Sequence, residues 1–188
     1  AVTVGDAGIR FNNLKFANGA AVTQTGNFGI QVNGNLTVDN GGSFIPGTGT
    51  IVFEGGTTKS ITNNGTLTFL NLELANTASN NVTASTGFSV SGGNFTIGAN
   101  ASFVADGGTV TFGPALTTLN NVSNNATRAI FNGLKYTGAV THTITAANQI
   151  ALKEFMTIED DVTLLHASDA NSRIIFNGTS TQDIVVGN

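Results

Sequence analysis

The phrase Phe-Asn-Asn-Leu-Lys-Phe at 11–16 returns as Phe-Leu-Asn-Leu-Glu-Leu at 69–74 and as Phe-Asn-Gly-Leu-Lys-Tyr at 131–136, so the copies start 58 and then 62 residues apart. A period of this size marks a repeat architecture, in which a unit cannot bury its own apolar face and must stack on its neighbours. The rest of each copy keeps the period. An apolar-Thr-apolar triplet recurs as Leu36-Thr37-Val38, Phe95-Thr96-Ile97 and Met156-Thr157-Ile158. A segment ending in Phe recurs as Ile51-Val52-Phe53, Val110-Thr111-Phe112 and Ile174-Ile175-Phe176. Between them align Phe28, Phe88 and Ile150, then Phe44, Phe103 and Leu164, then Ile61, Leu119 and Ile184. The aligned positions stay apolar while the residues between them drift, as expected of a buried stack with a free exterior. The copies run 11–68, 69–130 and 131–188 within one domain spanning 1–188, and 1–10 stands as the tail of a preceding copy.

Within a copy the local period is two. Phe88-Ser-Val90, Phe95-Thr-Ile97 and Thr109-Val-Thr-Phe112 alternate over a few residues and read as short strands. Asn-Gly, Gly-Gly and Asp-Gly pairs separate them, and such residues supply tight corners. No segment has helical spacing. The expectation is therefore an all-β parallel β-helix, a β-solenoid of about nine coils and, at about 4.8 Å per coil, about 45 Å long. Phe11, Phe69 and Phe131 are expected in one inward axial column. Leu14, Leu72 and Leu134 form a second, and Phe53, Phe112 and Phe176 a third.

Composition narrows the function. Charged residues make up 10% of the chain, against a usual value of roughly 25%, and the net charge is −4. Without a basic stripe, nucleic acid is not an expected partner. No run of apolar residues reaches membrane-spanning length. The absence of cysteine removes disulfides and zinc-thiolate sites. Ala1-Val2-Thr3-Val4 reads as strand, not as a leader.

The pattern Gly49-Thr50-Ile51-Val52-Phe53-Glu54-Gly55, followed by Ile61 and then Phe69-Leu70-Asn71-Leu72, resembles the β-strand repeats of large bacterial surface and secreted proteins, including adhesin-like and autotransporter-like chains with β-helical stalks. The resemblance covers nearly the whole chain and identifies an architectural class. It implies an extracellular stalk, sheath or filament, and it carries over no catalytic residue.

Candidate chemistry is sparse. Glu159-Asp160-Asp161 is the one acidic cluster, but its counterparts are Asp39-Asn40-Gly41 and Gly98-Ala99-Asn100, so no calcium-ligand set repeats and a solvated corner is expected. His142 and His166 are the only histidines. Lys153 and Glu154 are adjacent, which in a strand sends them to opposite faces. Thr-x-Thr pairs start 55, 40 and 10 residues after each copy's leading Phe; their phases differ, so threonine reads as an ordinary outward strand residue and not as an ice-binding array. No cofactor, metal site or catalytic residue is expected, and the chain does not read as an enzyme.

The leading reading is a structural, self-assembling unit of an extracellular filament, sheath or cell-surface stalk. Its partner is a second copy joined head to tail, or the continuation of a longer repeat chain, with Val2 and Val4 of one unit meeting Ile184, Val185 and Val186 of the next. The alternative is an adhesin-type module that binds a glycan or a cell surface along one face of the helix. Outward aromatic residues would favour that alternative, and Tyr136 is the single candidate the sequence offers, but its alignment with Phe16 and Leu74 places it in the core.

Overall fold

The computed structural model describes residues 8–75, 80–115, 117–121, 129–146, 149–166 and 173–187. Every strand pairing in it is parallel, and the strands form three faces around one apolar interior. Face I stacks β1 (Ile9–Phe11), β4 (Ile30–Val32), β7 (Thr50–Phe53), β10 (Asn71–Leu74), β13 (Asn94–Ile97), β16 (Thr118–Asn121), β18 (Thr141–Ala146) and β20 (Thr163–His166). Face II stacks β2 (Leu14–Phe16), β5 (Leu36–Val38), β8 (Lys59–Asn63), β11 (Asn80–Ala84), β14 (Ala101–Ala105), the first halves of β17 (Ala129–Tyr136) and β19 (Ile150–Ile158), and β21 (Ile174–Phe176). Face III stacks β3 (Ala21–Thr23), β6 (Ser43–Ile45), β9 (Thr66–Phe69), β12 (Phe88–Val90), β15 (Thr109–Phe112), the second halves of β17 and β19, and β22 (Asp183–Val186).

The chain is an all-β parallel β-solenoid. Along face I, Ile9, Ile30, Ile51, Leu72, Phe95, Leu119, Ile144 and His166 pair in succession, about seven turns of 21 to 25 residues each. That corrects the expected nine coils, and the stack spans about 34 Å at about 4.8 Å per turn. Loops at the corners absorb the unequal turn lengths. Where coils approach closely the corner is glycine: Gly108 has φ 69°, and a Cβ there would meet the backbone nitrogen of Gly87.

The expected axial columns are also corrected. Phe11 pairs with Val32 on face I, Phe69 with Val90 on face III, and Phe131 with Leu152 on face II. Leu14, Leu72 and Leu134 fall on faces II, I and III, and Phe53, Phe112 and Phe176 on faces I, III and II. The reason is arithmetic. With the two halves of β17 and of β19 counted separately, aligned positions of successive copies lie eight strands apart, whereas a coil takes three. Eight is not a multiple of three, so each aligned position moves to a different face. The unit that stacks is the coil, not the 60-residue copy, and Ile9 and Arg10, read as part of a preceding tail, belong to β1.

Phe53, Phe69, Leu72, Phe112, Phe131 and Leu134 are nonetheless fully buried, while Phe11, Leu14 and Phe176 are partly buried at the two ends of the stack. Alternation accounts for this, since it fixes which side of a strand faces inward whichever face the strand joins. The centre is an aromatic cluster. Phe95 meets Phe103 edge-on at 5.1 Å, and Phe69 meets Phe88 at 5.3 Å; such pairs add roughly 0.5–1.5 kcal/mol beyond area burial.

Candidate functional site

Among the described residues the coil formed by β20, β21 and β22 has a neighbour on one side only. β22 pairs with β19, placing Ile184 on Met156 and Val186 on Ile158, so both point to the interior side of the wall. Yet Ile184 is 58% exposed and Val186 63%, with the outward Val185 at 52%. Inward apolar side chains that no described coil covers, on a strand with one described neighbour, form an edge that a further strand can join. Val2 and Val4, the expected other half of this contact, lie outside the described residues. At the opposite end, Ile9, Phe11, Leu14, Phe16, Phe28 and Phe44 line an apolar concavity of about 290 Å³.

The asparagine corners act through their side chains. Asn13 Oδ1 accepts from the backbone N of Asn35 at 2.8 Å, and Asn35 Oδ1 accepts from the backbone N of Ser60 at 2.9 Å. This ladder ties three successive coils at the corner between faces I and II.

Lys59 and His142 are among the polar side chains sealed in the interior. Lys59 is 1% exposed, and its ammonium donates to the carbonyls of Gly55 at 3.1 Å and Thr57 at 2.6 Å. Burial pushes its pKa down, and Glu54 pulls it part of the way back. His142 Nε2 donates to the Thr137 carbonyl at 2.9 Å, and Nδ1 shares a hydrogen bond of 2.5 Å with the Thr117 hydroxyl. Both ring nitrogens are thus satisfied inside the core, where the ring packs on Tyr136.

Among the described residues four ion pairs link charged groups of the exterior across coils, Arg10–Glu54 and Lys15–Asp39 among them. Lys135 meets Glu159, the first residue of the acidic corner, at 2.5 Å, and Lys153 reaches Asp106 at 2.7 Å. Glu154 accepts from Asn132 at 2.9 Å. Among the described residues no three ligating side chains converge on a metal position, and no helix is long and apolar enough to cross a membrane.

Tyr136 is buried, as its alignment with Phe16 and Leu74 leads one to expect, and stacks on Phe112 at 5.2 Å. Two features differ from the sequence reading. The outward aromatic is Phe155, half-buried on face III beside the inward Met156. Alternation pointed to it: Met156 aligns with Leu36 and Phe95, and the residues before those are the outward Asn35 and Asn94. The threonine phases also change once the coil replaces the copy as the unit. Thr66-x-Thr68 and Thr109-x-Thr111 share face III, and one outward column runs Thr68, Ser89, Thr111, Lys135, Thr157. A parallel column runs Thr109, Gly133, Phe155. A shallow polar trough of about 220 Å³ lies over Thr66, Thr68, Ser89, Thr109 and Thr111, while Thr141, Thr143 and Thr145 stand apart on face I.

Comparison with protein-family models, with curated proteins and with solved structures finds no match to this chain.

Proposed function

We propose that the chain is a structural rod: a subunit or segment of a secreted, extracellular filament, sheath or cell-surface stalk that elongates by adding coil upon coil, head to tail, without enzymatic activity. The β-strand repeats of bacterial surface proteins remain the architectural class it resembles, with three copies of about 60 residues as the unit of its sequence. The observation that carries the reading is the unbroken parallel stack of about seven turns on one apolar core, whose last described coil leaves the inward Ile184 and Val186 more than half exposed. Burying them under a further coil removes apolar surface from water at about 25 cal/mol per Å² and pairs the open strand edge. Such a contact joins unlike ends, so repetition yields an open fibre and not a closed dimer. A low charge content leaves little to repel the next unit.

Sedimentation velocity of the 188-residue chain over a range of concentrations tests this, with negative-stain images of the same samples. The expected result is a mass that grows with concentration and rods of increasing length. The double variant Ile184→Lys/Val186→Lys should sediment as a monomer with an unchanged circular dichroism spectrum. A native chain that stays monomeric at every concentration refutes stacking of separate units.

A further inference from the structure

We infer that face III carries a binding strip for a neutral glycan chain, centred on Phe155. This goes beyond the structural reading and holds whether or not rods stack end to end. Three observations converge. First, Phe155 is an outward aromatic whose ring lies across the neighbouring coil: a Cβ added at Gly133 would fall 2.5 Å from the ring's Cζ. The missing side chain at Gly133 lets the ring lie down on the sheet, a flat platform and not a projecting arm. The face of a π-system is electronegative, and the C–H face of a pyranose is its natural complement. Second, the polar trough ends at Thr109 and Thr111, and Thr109 leads through Gly133 to Phe155 in one column. Hydroxyl donors and acceptors thus continue from the platform at about 4.8 Å per coil and about 6.7 Å across a strand. The axial step is close to the advance of one sugar along an extended chain, so a chain lying along the strip can stack one sugar on Phe155 and place others over the hydroxyls of the trough. Third, between β9 and β19 the one charged outward side chain of these columns is Lys135, which Glu159 neutralises at 2.5 Å, and beyond Phe155 the column continues to the exposed carboxylate of Asp183. With its cation neutralised and a carboxylate beside Phe155, the strip gives an acidic glycan no counter-ion and suits a neutral one.

Affinity electrophoresis of the full chain tests the inference, with hydroxyethylcellulose, galactomannan and soluble starch as neutral probes and alginate as the acidic one. The expected result is retardation by at least one neutral probe and none by alginate. Phe155→Ala should weaken the retardation at least ten-fold, Phe155→Tyr should keep it, and Thr143→Ala on face I should leave it unchanged. Melting curves of the three variants separate lost binding from lost folding: if Phe155→Ala does not fold, Thr111→Tyr, which fills the trough, takes its place with the same expected loss. Absence of retardation by every neutral probe overturns the inference, as does undiminished binding by folded Phe155→Ala. Inhibition of ice recrystallisation without sugar binding also overturns it, by making the hydroxyl columns a water-ordering surface.

Discussion

Tyr136→Phe probes the interior most directly. Tyr136 is 1% exposed, and its ring is held between Phe112 at 5.2 Å and the His142 ring at 5.4 Å. Its hydroxyl has no hydrogen-bond partner among the described residues. A buried polar group left unpaired costs roughly 1–3 kcal/mol, and removing one oxygen leaves the ring contacts in place. The phenylalanine variant should therefore be more stable than the native chain by about 1 kcal/mol at pH 7. The gap should also depend on pH. Burial raises the Tyr136 pKa from its ordinary 10.0, so above pH 10 the unfolded tyrosine loses its proton while the folded one keeps it. For a raised pKa the stabilising contribution is complete below pH 10 and is lost as pH climbs. One unit above, at pH 11, the native chain should have lost about 1.4 kcal/mol relative to the variant. Lys59 acts in the opposite sense, because its lowered pKa makes folding more favourable as pH rises toward 10.5; it is common to both proteins and cancels from the difference. Urea unfolding followed by circular dichroism at pH 7 and pH 11 reads both effects. Because the chain has one tyrosine and no tryptophan, tyrosinate absorbance reports the titration separately. A variant less stable than the native chain at pH 7, or a gap that stays constant with pH, refutes the argument.

Other outcomes follow from the same packing. Phe112→Ala should cost about 3–5 kcal/mol by leaving a cavity under Tyr136, whereas Thr96→Ala, outward on face I, should cost less than about 1 kcal/mol; equal shifts in urea midpoint would mean the strand faces are reversed. Lys59→Met should cost about 1–3 kcal/mol, because it removes the donor shared by the Gly55 and Thr57 carbonyls, and should speed proteolysis of the 54–58 loop. His142→Leu keeps the volume roughly but strands the Thr117 hydroxyl and the Thr137 carbonyl, so its melting temperature should fall while its dichroism spectrum holds.

Strand by strand, much of this was legible. Alternation around Phe95, Phe103 and Phe112 marks the inward side, and the corners need glycine and asparagine wherever the chain turns. How many strands make one turn was not legible. A local pattern records which side of a strand is wet; it does not record the angle through which the next corner swings the chain. Copies eight strands apart therefore looked like axial neighbours, and the threonine pairs looked out of phase although two of them share a face. The core position of Tyr136 was legible from its alignment with Phe16 and Leu74, and it is buried; the outward Phe155 was missed, although alternation beside Met156 marks its side of the strand.

The mismatch between an interval of eight strands and a turn of three bears on how such a rod changes over generations. Lengthening it by eight strands swings everything beyond the insertion through one third of the circumference. A decoration inherited with each increment is then dealt to a new side, like a screw thread, and returns to its first side only after three increments. An insertion of three strands instead lengthens the rod and leaves every existing stripe straight. Internal duplication can therefore either spread one chemistry around the rod or extend it along a line, depending solely on the number of strands copied.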